Sequence, residues 1–325
     1  MAVRLRYHSA KKNRKLEQKY RTIRRQRILQ RLRERLLPTA LMLLLIGGFA
    51  LYTVLKGRTE RTVRTHPEAA VRVFLLDVGQ GDAILIESQG HAVLIDGGDP
   101  DQGDRVTAML RGLGVSRLDY LINSHPHADH CGGLKTVLRQ MPPGEFLLPA
   151  VPEALMPTAY SFRSLLDTAA QRGVPVRTPA CQSRVAVGAA ELEFLSTDNT
   201  AYEDLNDCSL VCVLHCGAVR FLFTGDLEQA GEQALLDAGL IPRAAVLKVA
   251  HHGSANATSE TFLRAVSPDF AAISVGAGND YGHPARKVTE RLTAAGCRIF
   301  RTDLDGTVCF YTDGSSLGAE TGITF

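Results

Sequence analysis

Ten residues, Ser124 to Gly133, read SHPHADHCGG and place three His and one Asp within six consecutive positions. A turn entered with His125, His127, Asp129 and His130 can aim the first His pair at one cation and the Asp/His pair at a second, about 3.5–4 Å away. Cations paired in this way make a water nucleophilic at neutral pH. Histidines crowded in a solvated turn would be the plainer reading, but His-rich tracts are compositional. This one has a definite order, a leading apolar strand (Leu118 to Ile122) and a trailing Gly-Gly.

The same grammar, an apolar strand stopping at a polar turn, recurs along the chain. Val71 to Ile95 reads as three strands broken by GQGD and QGH, the third ending at Asp96-Gly97-Gly98. Asp104 to Leu113 and Leu134 to Arg139 read as helices, and Val185 to Val187 with Leu192 to Leu195 as a hairpin. Between them lies a Pro-punctuated stretch, Pro142 to Pro179, with one helix near Ser161 to Gln171, expected to be a lid or packing insert. Val219 to Phe223 ends in Thr224-Gly225-Asp226, and Val246 to Ala250 in His251-His252-Gly253-Ser254. A His pair at a strand end is a candidate ligand; spacing to the following Gly-Ser favours His252, with His251 outside it or touching substrate. After the strand Phe270 to Val275, His283 sits in a Gly-rich loop, where it can protonate a leaving alkoxide or hold an anionic oxygen. Arg298 to Arg301 and Thr307 to Tyr311 are the final strands.

Charge is segregated. Residues 1–35 hold fourteen Lys and Arg against Glu17 and Glu34, so from a whole-chain charge of +3 the remainder carries −9. That balance argues against a broad basic face for nucleic acid and leaves room for a local groove. The basic arm can meet anionic headgroups or nucleic acid, or be a solvated topogenic tail. Residues 36–55 contain no charged residue, and twenty residues at 1.5 Å rise span about 30 Å, the thickness of a bilayer's hydrocarbon core. The expectation is a cytoplasmic arm (1–35), an uncleaved single-pass signal anchor in the cytoplasmic membrane (36–55), a linker (56–70) and an extracytoplasmic domain (71–325). Seven Cys are scattered. Cys208, Cys212 and Cys216 fall at even spacing, which predicts buried free thiols on one strand face rather than a zinc site closed at a turn.

Seven ordered blocks carry a family resemblance: DVGQGDA (Asp77 to Ala83), LIDGG (Leu94 to Gly98), HPHADHCGG, NDCSLV (Asn206 to Val211), FLFTGDLE (Phe221 to Glu228), LKVAHHGS (Leu247 to Ser254) and YGHP (Tyr281 to Pro284). HxHxDH resembles the signature of the metallo-β-lactamase fold superfamily, and the full set, from Val71 to Asp313, resembles the extracytoplasmic metallo-β-lactamase-like domain of ComEC competence proteins. The resemblance implies an α/β fold, a four-layer αββα sandwich with metals at the strand ends. It implies that Asp96 orients the first His pair from behind and that Asp226 bridges both metals. The first site would then be His125, His127 and Asp226, and the second Asp129, His130, Asp226 and His252.

Two departures shape the expectation. ComEC proteins carry many membrane helices and this chain offers one candidate span, which implies a stand-alone relative without the channel. The further His of many metallo-β-lactamases is replaced by Asn206, Asp207 and Ser209, as in the ComEC-like pattern, so Asn206, Asp207 or water would complete the first site. An oxygen-richer site tolerates manganese better than three His would, which implies two divalent ions, Zn or Mn, with the first labile. The implied activity is phosphodiester hydrolysis, with DNA as substrate, Asp129 taking the proton of the attacking water, His283 and His251 serving the leaving group, and the amides of Gly253 and Ser254 holding phosphate. The rivals are a small or cell-envelope phosphodiester, such as a phosphocholine ester, and a membrane-tethered binding protein that has lost catalysis.

Overall fold

The computed structural model describes Arg21, Arg24, Arg25 and residues 66–157, 160–195 and 202–325. Two units are distinguished, Met1–Arg61 and Thr62–Phe325. In the first, the three described arginines are helical and exposed. The candidate span at 36–55 lies outside the described residues, and among the described residues no helix is long and apolar enough to cross a membrane.

The second unit is built on two sheets. Strands β1 (Val71–Leu75), β2 (Ile84–Ser88), β3 (His91–Ile95), β4 (Tyr120–Ile122), β5 (Glu145–Leu147) and β6 (Val176–Arg177) join the last two strands, β14 (Thr307–Thr312) and β15 (Leu317–Ile323), in the order β15-β14-β1-β2-β3-β4-β5-β6. The strands between them in sequence form the other sheet: β7 (Arg184–Val187), β8 (Ala190–Leu195), β9 (Val211–Cys216), β10 (Val219–Phe223), β11 (Val246–Lys248), β12 (Phe270–Ile273) and β13 (Arg298–Arg301). Their order is β13-β12-β11-β10-β9-β8-β7.

The middle strands of both sheets are covered on both faces, which is why they read as nearly continuous apolar runs, whereas β7 towards the edge alternates. Val73, Leu75, Ile84 and Ile86 of the first sheet meet Leu192, Phe194, Cys212 and Leu214 of the second in a central core. Their alternates Phe74 and Leu85 face helices Gly103–Gly112, Leu134–Gln140 and Tyr160–Gln171. On the far side, Val211, Val213 and Leu222 pack with helices Glu260–Val266 and Arg286–Ala294. The layers are therefore helix, sheet, sheet, helix. Phe310 of β14 meets Phe221, Phe270 and Phe300 of the other sheet at ring distances of 6.4, 6.0 and 5.4 Å.

Several expectations change here. The Pro-punctuated stretch is a packing insert: its helix, Tyr160–Gln171, buries Phe162 and Leu165 in the first helical layer, and β5 and β6 extend the sheet. Cys212 and Cys216 lie on the inner face of β9, but Cys208 does not share that strand. β9 starts at Val211, and the Cys208 thiol sits in the preceding turn, 3.7 Å from the carbonyl of Asp204. All seven cysteines are free thiols.

Strands β3 and β4 run parallel, as do β10, β11 and β12. Parallel neighbours end on the same side. The turns after β3, β4, β10, β11 and β12 are thereby delivered to one edge of each sheet, and these turns carry Asp96, the His cluster, Asp226, the His pair and His283.

Candidate metal centre

Asp226 is the hub. Its Oδ2 lies 3.2 Å from His130 Nε2, 3.5 Å from His252 Nε2, 3.7 Å from His251 Nε2 and 3.9 Å from His125 Nε2. Gly225 puts it there. With φ of +52° it turns the chain sharply, and a Cβ at that position would come 2.9 Å from the Ser124 side chain. Asp129 reaches in from the other side, its Oδ2 3.2 Å from His252 Nε2. Asp129, His130, Asp226 and His252 offer ligand atoms that all lie within 4.8 Å of one another.

The tautomers are set from behind. His130 Nδ1 stands 2.9 Å from Asp96 Oδ2 and His252 Nδ1 stands 2.9 Å from the carbonyl of Ser274, so both rings present Nε2 to the hub. Asp96 is itself held by the Ser124 amide and by Asn123 Nδ2 on Oδ1, and by the Ser124 hydroxyl on Oδ2. This corrects the expected role of Asp96. Its carboxylate orients His130, of the second set, and reaches His125 only through Ser124 Oγ, 3.1 Å from His125 Nδ1. Asp96, His251 and His252 all have positive φ, at 59°, 49° and 51°. Non-glycine residues in this left-handed region carry strain and concentrate at functional sites.

The donors fit a divalent cation. His130 Nε2 and Asp226 Oδ1 are buried without a hydrogen-bond partner. With Nδ1–H directed at Asp96, the lone pair of His130 Nε2 faces carboxylate lone pairs, an arrangement that calls for a proton or a metal between them. The first set is sparser. His125 Nε2 and His127 Nδ1 stand 3.0 Å apart, close to the roughly 3.3 Å expected for two nitrogens on one tetrahedral zinc. Asn206 Oδ1 is buried without a partner and Asn206 lines the adjoining pocket, which suits it to that set. Asp207 is not suited. Its Oδ1 accepts the backbone amides of Glu228 (3.1 Å) and Gly231 (2.9 Å), holding the start of the helix Gln229–Asp237.

The charge pattern follows from these distances. Burial pushes His130 and His252 down most strongly of any single influence, but the surrounding carboxylates together outweigh it, Asp226 with Asp96 for His130 and Asp226 with Asp129 and Asp82 for His252, and the pKa values of both rings lie well above 6.5. Burial and the nearby His130 hold His125 well below 6.5. Burial would raise Asp226 and Asp129, yet the imidazoles beside them keep both below the usual carboxylate range. With no cation bound, His130 and His252 are therefore protonated at neutral pH, and each must release its proton to become a ligand. Metal affinity is expected to weaken as pH falls below those raised values, and binding at pH 7 to release about two protons. Calorimetry in buffers of different ionisation enthalpy reads that number directly, and a pH-independent affinity would contradict it.

A pocket of about 310 Å³ opens onto the group, lined by residues including Gln80, Asn206, His251, Tyr281 and His283. His251 turns Nδ1 to Glu228 Oε1, 2.8 Å away, and sits on the pocket wall outside the compact group that contains His252. His283 is held below 6.5 by burial and by His251 and His252. It is neutral at pH 7, suited to hydrogen-bonding an anionic oxygen more than to donating a proton as imidazolium. Gly253 and Ser254 depart from expectation. They lie in and just after a 3₁₀ turn, Ala250–Gly253, rather than at a helix start, and the Ser254 amide is used by the carbonyl of His251 at 2.7 Å. That amide is not free to hold a phosphate.

Sequence reasoning missed three supporting residues. Glu228 is one. The others are Asp82 and Lys248, each 1% exposed, whose Oδ2 and Nζ meet at 2.8 Å between the two sheets. Burial would raise the Asp82 carboxyl, but the Lys248 ammonium and the imidazoles of His252 and His130 pull it down to about 2. A lysine inside the apolar run VLKVA was the available signal, since a buried ammonium needs a carboxylate.

A family profile described as the metallo-beta-lactamase superfamily matches residues 76–277. The chain belongs to that superfamily. Among its curated relatives are ComEC-like competence proteins. ComE operon protein 3 of Bacillus subtilis (strain 168) is 30% identical over 254 residues, covering 73% of this chain and 32% of the relative. Competence protein ComA of Neisseria gonorrhoeae is 32% identical over 277 residues, covering 83% of this chain and 37% of the relative. The chain thus spans about a third of the length of these relatives. Among solved structures, the diiron beta-hydroxylase CmlA from Streptomyces venezuelae matches with a TM-score of 0.50 at 16% identity, over 72% of this chain and 53% of that one. That likeness speaks for the shared fold alone. Membership of the metallo-beta-lactamase superfamily, together with the His/Asp group, implies a metal-dependent hydrolase that uses divalent ions.

Proposed function

We propose that this superfamily member is a phosphodiesterase of the ComEC type, a nuclease that cleaves DNA outside the cytoplasmic membrane, to which the segment 36–55 anchors it. The reading is carried by the convergence of four donors, two with orphaned atoms, on a small pocket at one strand edge. A relative named as a competence protein adds support for DNA.

His125, His127 and Asp226, with Asn206, would hold a first divalent ion, and Asp129, His130, Asp226 and His252 a second. When bound, Zn or Mn supplies Lewis acidity and a nucleophilic water at neutral pH. The Asn206 oxygen in place of a third imidazole favours manganese at the first position. Asp129, partly open to the pocket, orients the attacking water as an acceptor; its depressed pKa makes it a weak proton store. His283, neutral, donates a hydrogen bond to a phosphate or leaving oxygen, and His251, steadied by Glu228, serves the leaving group beside it.

One observation favours a second reading, hydrolysis of a small or wall-linked phosphodiester such as a phosphocholine ester: among the described residues, no Lys or Arg lines the pocket. Loss of catalysis in a tethered binding protein is disfavoured by the presence together of His125, His127, Asp129, His130, Asp226 and His252. The full-length chain is to be tested with Mn²⁺ and Zn²⁺ against bis-p-nitrophenyl phosphate and single-stranded DNA. Turnover of both, with binding of DNA falling steeply with salt, supports the nuclease. A flat salt dependence supports the small ester, and no turnover of either substrate with either metal ends the phosphodiesterase reading.

A further inference from the structure

We propose that Tyr281 is a stacking platform for the nucleobase next to the scissile phosphate, so that the pocket takes an unpaired strand one nucleotide at a time. The inference rests on the phosphodiesterase reading and names its substrate class.

Tyr281 is 71% exposed. Of the exposed large hydrophobic side chains among the described residues, it is the one that lines the metal pocket, beside His127, Asp129 and Asp226. Its ring lies nearly parallel to that of His283, 5.8 Å between centroids and 19° between planes, and His283 meets His251 edge-on at 5.6 Å. A wall of rings thus runs from solvent to the hub, since His251 Nε2 stands 3.7 Å from Asp226 Oδ2.

The backbone beneath the tyrosine is tied down. Asn279 Nδ2 donates to the carbonyls of Gly276 (2.9 Å) and His283 (2.7 Å), and its Oδ1 accepts the amides of Tyr281 (3.2 Å) and His283 (3.0 Å). Gln80 Oε1 accepts the Gly276 amide at 3.1 Å, joining this loop to the GQGD turn. An exposed aromatic ring on a braced loop loses little freedom when a flat partner covers it.

Every base has a π-face, so stacking is tolerant of sequence, and it adds to whatever electrostatic attraction holds the backbone. Division of labour follows. The anionic phosphate is directed to the cation-binding group and the base to Tyr281, so a nucleotide can be held in a pocket whose described lining residues include no Lys or Arg. A base inside a duplex has both faces covered by its neighbours and offers nothing to the ring.

Three chromogenic esters sharing one leaving group test this on the full-length chain with Mn²⁺: thymidine 5′-(p-nitrophenyl phosphate), methyl p-nitrophenyl phosphate and p-nitrophenyl phosphorylcholine. Wild type is expected to prefer the thymidine ester. Tyr281→Ala is expected to reduce that preference over the methyl ester by about 10-fold or more, the scale of one base stacked on an aromatic ring, chiefly through KM. Tyr281→Trp is expected to restore it. Equal losses on the thymidine and methyl esters, or a selective loss on the choline ester, would overturn the platform while leaving phosphodiester hydrolysis in place. Failure of wild type on all three esters would overturn the hydrolytic reading and the platform with it.

Discussion

Asp226→Ala is expected to lower metal affinity by more than about 100-fold and to bring phosphodiester hydrolysis to background. Four imidazole nitrogens stand within 3.9 Å of the Asp226 Oδ2 atom, and its Oδ1 is buried without any other partner. Removal of an outer partner that merely orients a ligand costs 10- to 100-fold in metal affinity or activity. A carboxylate facing both halves of the donor set should cost more. Alanine also removes one of the carboxylates that together raise His130 and His252, so the pKa values of both rings should fall. Metal content after equilibrium dialysis and turnover of bis-p-nitrophenyl phosphate are the measurements, with Asp226→Asn as the control that keeps the shape. Two tightly held ions and undiminished turnover in the alanine variant would refute the assignment.

Lys248→Met is expected to destabilise the fold by about 3–5 kcal/mol, the usual cost of leaving one member of a buried ion pair without its partner. That is a large share of the roughly 5–15 kcal/mol that holds a typical domain together. Lys248 Nζ gives one hydrogen bond to the carbonyl of Val249 at 2.9 Å and meets Asp82 Oδ2 at 2.8 Å. Methionine fills most of the same volume, so the loss isolates the charge. Asp82 Oδ1 is already without a hydrogen-bond partner and would face only the nearby His252 ring, 3.5 Å away. The damage should also reach the metal group, because the Asp82 amide donates to the carbonyl of Asp129 at 3.2 Å and Gly98 donates to that of Asp82 at 2.8 Å. Guanidinium unfolding of the chelated protein measures the shift. The double variant Asp82→Asn with Lys248→Met is expected to recover a large part of it, since coupled neighbours are not additive. Equal midpoints for wild type and Lys248→Met would show that the pair contributes nothing.

Much of the centre was legible because its pieces are local. A strand followed by a turn with His125, His127, Asp129 and His130, another ending at Asp226, and a third ending at His251-His252 each announce themselves within ten residues. Parallel pairing then puts those turns on one side. Three strands were not legible. β5 and β6 are short and lie within a Pro-rich insert, and β15, LGAETGI, is an edge strand with little buried surface and so no apolar alternation to betray it. Cys208 was placed on a strand by even spacing, but spacing cannot tell where a strand starts.

The sequence by itself determined which side chains are available to hold cations and that they stand at strand ends, since ligand chemistry and strand periodicity are properties of short segments. Only the tertiary structure decided which partner each one has. Asp96 serves His130 rather than the first His pair, and Asp207 is used by a helix start. The Ser254 amide is taken by His251, and Lys248 finds Asp82 across the sandwich. The Ser254 bond is set within its own turn, the Asp96 and Asp207 pairings by which loops meet at the end of one sheet, and the Asp82–Lys248 pair by the offset between the two packed sheets, which core packing over the whole domain sets and no short stretch of residues encodes.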